Sequence, residues 1–184
     1  APVTDTVPKE IGKDNEPIGR WGRQYGSTPK AVSRSATAFL EGMLEGGVEG
    51  TVKHFPGLGR VRNNTDFSAT GITDSVATTD DPFLQPFADG IEAGAGLVMM
   101  ASARYPKLDK ANPAMFSEKI VTGLLREQLG YEGVVITDDV NAKALADVPT
   151  GARAVRHVAA GGDIVLTGAA SDADAMLKAL AAEA

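Results

Sequence analysis

Val134-Val135-Ile136-Thr137-Asp138-Asp139 is the stretch on which the fold turns. An apolar run of this length, opened by Gly133, reads as a strand buried in a parallel sheet. Two carboxylates follow it at once. A carboxylate leaving such a strand stands at the mouth of a barrel, where polar ligands are met. The alternative is that one of the pair caps the following helix. Neighbouring side chains in extended chain point apart, so Asp138 and Asp139 can divide the two roles.

Working outward, the same unit recurs. Residues 6–27 are polar and rich in Gly and Pro, and read as a long loop. Thr28-Pro29 starts a helix with Val32, Ala36, Phe39, Leu40 and Met43 on one face, and Gly46-Gly47 ends it. A strand is predicted over 48–55, followed by a long loop to about Thr79. Asp80-Asp81-Pro82 opens a second helix carrying Phe83, Phe87 and Ile91, and residues 96–101 form a buried strand. Ser117 caps a third helix that stops at Gly130. After the strand at 133–137, Ala152, Val155 and Ala159 mark a fourth helix. Residues 163–167 make a last strand, and Ser171 starts a terminal helix.

Short apolar strands alternating with amphipathic helices mean parallel βα units. Both a doubly wound sheet and a (β/α)8 barrel fit that rhythm. The barrel is favoured because Gly57-Leu58-Gly59 lacks the third glycine of a dinucleotide fingerprint and opens no helix. Polar residues also gather at several strand ends: Lys53-His54, Ser102, Asp138-Asp139 and Thr167. A closed barrel typically needs ~250 residues. The 184 here are expected to supply roughly the last five strands, as the C-terminal portion of one barrel domain spanning 1–184. A sheet left open in this way exposes its edges. The expectation is therefore a segment of a longer protein, paired with a preceding barrel segment or with another chain.

Composition narrows the partners. The net charge of −6 argues against a nucleic-acid surface, and Arg60 with Arg62 is only a local pair. There is no cysteine, which excludes disulfide and thiolate chemistry, and two histidines leave little for a zinc site. No run approaches the ~20 apolar residues of a membrane span, and no targeting signal is present in the chain. The compartment stays open.

Two further stretches carry chemistry. Lys53-His54-Phe55-Pro56-Gly57-Leu58-Gly59 puts two hydrogen-bond donors at a strand end, before a sharp bend over the mouth. The alternative is a solvated Lys and a hydrogen-bonded core His. Arg62-Asn63-Asn64-Thr65-Asp66-Phe67-Ser68 is a long polar loop, either functional or a plain surface excursion.

These stretches, in this order and spacing, resemble the barrel domain of glycoside hydrolase family 3. Within it they look most like the single-domain β-N-acetylhexosaminidases. Ala1-Pro2-Val3-Thr4-Asp5, Ile18-Gly19, Arg23-Gln24-Tyr25-Gly26 and the run from Leu124 to Gly133 add to the likeness, which covers nearly the whole chain. The resemblance implies that Asp138 is the nucleophile, that Lys53 and His54 bind sugar hydroxyls, and that Arg23 contacts the substrate. Asp139 matches no catalytic position and is expected to cap a helix. The implied activity is an exo-acting, retaining β-N-acetylhexosaminidase on amino-sugar glycosides such as cell-wall fragments, with no cofactor and no metal. Alternatives are a β-glucosidase or β-xylosidase of the same family, and a non-catalytic carbohydrate-binding remnant.

The chain departs from the family pattern in three places. Where the hexosaminidases carry Asp-Ser-His after the KHFPG turn, with the histidine as acid/base, Asn64-Thr65-Asp66 stands here. A sugar-holding aspartate of an earlier strand has no counterpart after Ala1. Ala101-Ser102-Ala103 replaces a stretch that usually holds a histidine. Asp66 is therefore the expected acid/base, brought to the sugar by closure of its loop, and Lys53 is the expected positive neighbour of Asp138.

Overall fold

Parallel neighbours need a crossover between them, and the chain supplies a helix each time. The computed structural model describes residues 1–184. In chain order the elements are α1 (Pro29–Glu45), β1 (Thr51–Phe55), α2 (Gln85–Glu92), β2 (Leu97–Met100), β3 (Arg104–Tyr105), β4 (Asp109–Pro113), a π-type helix (Lys119–Gln128), β5 (Val134–Thr137), α3 (Thr150–Ala159) and α4 (Ala173–Glu183). The strands β1, β2 and β5 pair in parallel in that order. Thr51 lies beside Leu97, and Leu97 beside Val134. Single parallel bridges extend the sheet at both flanks, Val3 to Lys53 and Ile136 to Ile164. Five parallel segments thus run side by side with helices outside, a partial (β/α)8 barrel. No helix is long and apolar enough to cross a membrane.

Burial alternates along β2 and β5. Val98, Met100, Val135 and Thr137 are fully buried, while Leu97, Met99, Val134 and Ile136 are only half-buried. The period of two puts Asp138 on the side of Val134 and Ile136, the inner face of the barrel wall. The other face joins one apolar core that runs from Val3 to Met176. At its centre Phe55 meets Phe87 edge to face, with ring centroids 5.3 Å apart.

Several elements differ from the sequence reading. The first strand begins at Thr51 rather than at 48. Val48 instead donates its N–H to the Met43 carbonyl and finishes α1, with Gly47 at φ 73° turning the chain. Phe39 leaves the core face of α1 and packs on Tyr25. The third helix starts at Ser117 as expected, its Oγ accepting from the Ile120 N–H, but runs in π-type register. Residues 163–167 follow β5 without forming a ladder, because the Leu166 N–H goes to the Thr137 hydroxyl instead of a carbonyl. No helix follows Asp139 directly; coil and a short 3-10 turn lead to α3.

His157 on α3 is fully buried, its Nδ1 2.8 Å from the Met115 carbonyl and its Nε2 3.4 Å from that of Val135. Burial holds its pKa below the ordinary 6.5. The unfolded chain then binds the proton more readily than the folded one, so stability is lost as pH falls below 6.5 toward the depressed folded value. Urea midpoints taken at pH 7.5 and pH 5.5 should drop in the acid sample, and the drop should shrink in His157→Gln. An equal drop in both proteins would assign the acid sensitivity to other groups.

Candidate active site

Three strand ends converge on one mouth. Val3 lies against Lys53, and Thr4 bonds the Lys53 carbonyl through both its N–H (2.8 Å) and its hydroxyl (3.1 Å). This holds Asp5 beside the end of β1. The Asp138 N–H donates to the Met100 carbonyl at 3.0 Å, so Asp138 sits level with the end of β2.

His54 lies between the two carboxylates. Its Nδ1 is 2.8 Å from Asp5 Oδ2, and its Nε2 is 4.0 Å from Asp138 Oδ2. Asp5 is fully buried and also accepts the backbone N–H groups of His54 (3.2 Å) and Leu58 (2.6 Å). A buried carboxylate needs such partners; breaking one costs several kcal/mol, roughly 3–5 for an ion pair. The side chain of Asp138 keeps 20% of its surface open, enough for one oxygen to meet a ligand. Its Oδ1 accepts the Asp139 N–H at 2.9 Å.

Asp66 stands on the loop after β1, within electrostatic range of Asp138. The residue is exposed, yet its carboxyl is pushed above the ordinary carboxylate range, first by partial loss of hydration and then by the negative charge of Asp138. His54 and Arg23 pull the other way, and Asp139 adds to the rise. The Lys143 N–H donates to the Asp66 carbonyl (3.1 Å) and the Ala144 N–H to that of Thr65 (3.0 Å). Glu16 secures the other side, accepting the Asn64 N–H at 3.1 Å while holding Arg20.

Arg23 is exposed and donates to the Pro17 carbonyl at 2.8 Å. Lys53 is half-buried and makes no ion pair, and the basic side chain nearest to hand for Asp138 is His54, with Nε2 4.0 Å from Asp138 Oδ2. Asp139 is not a helix cap: its Oδ1 accepts from the N–H groups of Asn141 (2.9 Å) and Gly168 (3.0 Å), stitching two mouth loops together. No imidazole stands at the end of β2, where Ser102 is buried with an unpartnered hydroxyl.

Three contributors were not assigned roles from sequence. Asp5 was legible in principle, since Pro2-Val3-Thr4-Asp5 repeats the strand-then-carboxylate pattern of Asp138. Glu16 left no local signal. Arg60 is no mere local charge; it clamps Asp74 and Asp81, both buried, and lies 3.7 Å from the Phe83 ring centroid, which ties down the long loop. The largest groove lies elsewhere, between α1 and α2, and gathers no such carboxylate–imidazole set. No three His, Asp or Glu side chains converge as metal ligands.

The model of the Glycosyl hydrolase family 3 N terminal domain matches residues 1–183. A β-hexosaminidase of Xylella fastidiosa is 38% identical over 167 residues, 90% of this chain and 48% of that protein. The crystal structure of a β-N-acetylhexosaminidase from Beutenbergia cavernae superposes with a TM-score of 0.94 at 46% identity, over all of this chain and 55% of the other. A family 3 β-N-acetylglucosaminidase from Paenibacillus gives 0.84 at 32% identity, over all of this chain and 35% of that one. The chain thus spans about half the length of the curated relatives it matches. With the match running from the first strand flank through α4, the chain belongs to glycosyl hydrolase family 3.

Proposed function

We propose that the protein is a retaining β-N-acetylhexosaminidase in which Asp138 is the nucleophile and Asp66 the acid/base. The observation that carries this is the placement of Asp138 at the end of β5, with 20% of its side chain open to the mouth and 4.0 Å from His54 Nε2, while the charge of Asp138 acts on Asp66. Asp66 is driven toward its protonated form by lost hydration and by the charge of Asp138. A retaining glycosidase needs such a pair, one member ionised and one holding a proton.

In the first step an Asp138 oxygen bonds to the anomeric carbon while the bond to the leaving oxygen breaks. Asp66 gives its proton to that oxygen. In the second step Asp66 takes a proton from water, whose oxygen bonds to the anomeric carbon and releases Asp138. The balance is one glycoside and one water giving a free sugar and an alcohol. Lys53, half-buried and without an ion pair, has its ammonium available for sugar hydroxyls. Arg23 supplies a positive charge on the Asp66 side.

The amino-sugar preference is supported by the names of the relatives, all from proteins of about twice this length or more. A chromogenic N-acetylglucosaminide and the matching glucoside test it directly. The acetamido sugar should be turned over faster by a factor of about 100, a difference of roughly 2.7 kcal/mol in the barrier. Preference for the glucoside would move the protein to the β-glucosidase branch, and inertness toward both would favour a carbohydrate-binding role.

A further inference from the structure

Both oxygens of Asp5 are committed. Oδ1 accepts the Leu58 N–H at 2.6 Å, and Oδ2 accepts the His54 backbone N–H at 3.2 Å and faces Nδ1 of the same ring at 2.8 Å. Asp5 has no exposed surface, so no water competes for these positions. A carboxylate can only accept, so the ring nitrogen against it must carry a proton. The other nitrogen, Nε2, is the one turned to the mouth, 4.0 Å from Asp138 Oδ2. That gap is too long for a hydrogen bond.

We propose that Asp5 is a positioning residue: it keeps a proton on Nδ1 of His54 and so fixes how Nε2 is presented beside the nucleophile. The inference rests on the hydrolase reading above for its effect on turnover, though not for its effect on the ring. Asp5 works through His54 and touches no substrate itself. Its second bond, to Leu58, fixes the far end of the turn from 54 to 58, so one carboxylate sets both the ring and the bend that follows it. The titratable groups around His54 are Asp5 from the first strand flank, Asp138 from the end of β5 and, through its electrostatic effect, Asp66 from its loop.

The substitution Asp5→Asn separates the two jobs. An amide has one acceptor oxygen where the carboxylate has two. If that oxygen stays on Leu58, an NH2 group faces Nδ1, which must then accept. The proton moves to Nε2, which can swing onto Asp138 and occupy the nucleophile. Asp5→Asn should therefore lower kcat by about 100-fold, with a much smaller change in KM.

The chain has two histidines, so long-range proton–nitrogen correlation spectra of the purified protein resolve both rings, with buried His157 as the internal reference. Wild-type protein should show a protonated Nδ1 on His54, and Asp5→Asn a bare Nδ1 with a protonated Nε2. A bare Nδ1 in the wild type overturns the proposal, and that spectrum decides the point whether or not the variant folds. A folded Asp5→Asn with the wild-type tautomer and wild-type kcat overturns it as well. Wild-type protein that is inert on all glycosides while showing the Nδ1 proton would instead strike down the hydrolase reading and leave the ring geometry standing.

Discussion

Replacing Asp138 by Asn should reduce turnover of a chromogenic N-acetylglucosaminide about 10,000-fold, equivalent to roughly 5.5 kcal/mol of transition-state stabilisation. The amide is nearly the same size, and its carbonyl can still take the Asp139 N–H that Asp138 Oδ1 holds at 2.9 Å. Folding should change little, because the side chain keeps 20% of its surface open and its one near approach to a basic side chain is the 4.0 Å gap to His54 Nε2. What disappears is the nucleophilic oxygen. A slow-leaving 2-fluoro glycoside should leave a covalent sugar on the wild-type protein at Asp138 and none on the variant. Mass spectrometry finding the label on another carboxylate, or near-normal turnover by Asp138→Asn, would remove Asp138 from the role.

Asp66→Ala should show a different pattern, set by the leaving group. General acid catalysis is worth about 100- to 10,000-fold. The loss should be largest for a sugar leaving group, whose oxygen must be protonated, and smallest for a dinitrophenyl group that leaves as a stable anion. Added azide should restore part of the lost rate with an activated substrate, because azide attacks the glycosyl-enzyme without base help. A second readout follows from the cause of the Asp66 shift. Its carboxyl is raised by lost hydration and then by the charge of Asp138. Activity that needs protonated Asp66 falls as pH rises through that raised value. In Asp138→Asn the neighbouring charge is gone, so a carbon-13 titration should find Asp66 ionising at lower pH than in the wild type. Equal losses on all leaving groups, together with an unmoved titration, would mean that another group delivers the proton.

Much of this was legible in the sequence because strand and helix patterns here obey local rules. The runs at 97–100 and 134–137 are apolar enough to be strands in any parallel setting, and Thr28-Pro29 marks the start of α1, with the Thr28 hydroxyl accepting from Ala31. Asp138 was legible for the same reason, since it ends such a strand, whereas Asp66 was singled out only through the family resemblance, which sets it where a histidine usually stands. Local rules failed where a long-range partner decided the outcome. Val48 looks like a strand residue but closes the end of α1. Residues 163–167 look like a strand, yet one hydroxyl, that of Thr137, takes the N–H that a ladder would need. Asp139 looks like a cap, but its partner Gly168 lies 29 residues away. Lys53 and His54 are adjacent and both basic, and only the fold of the turn shows which of them faces Asp138.

Two of the bonds that hold the Asp66 loop, from Lys143 and Ala144 to the carbonyls of Asp66 and Thr65, are main-chain to main-chain. Such anchors do not depend on what side chains the loop carries. On the roles proposed above, the proton donor sits on a cassette whose placement is written in the backbone, while the nucleophile follows directly on a strand. Over evolutionary time the two halves of the catalytic pair are free to change at different rates. A lineage could exchange the group at position 66, imidazole for carboxyl, without re-registering the barrel wall that carries Asp138.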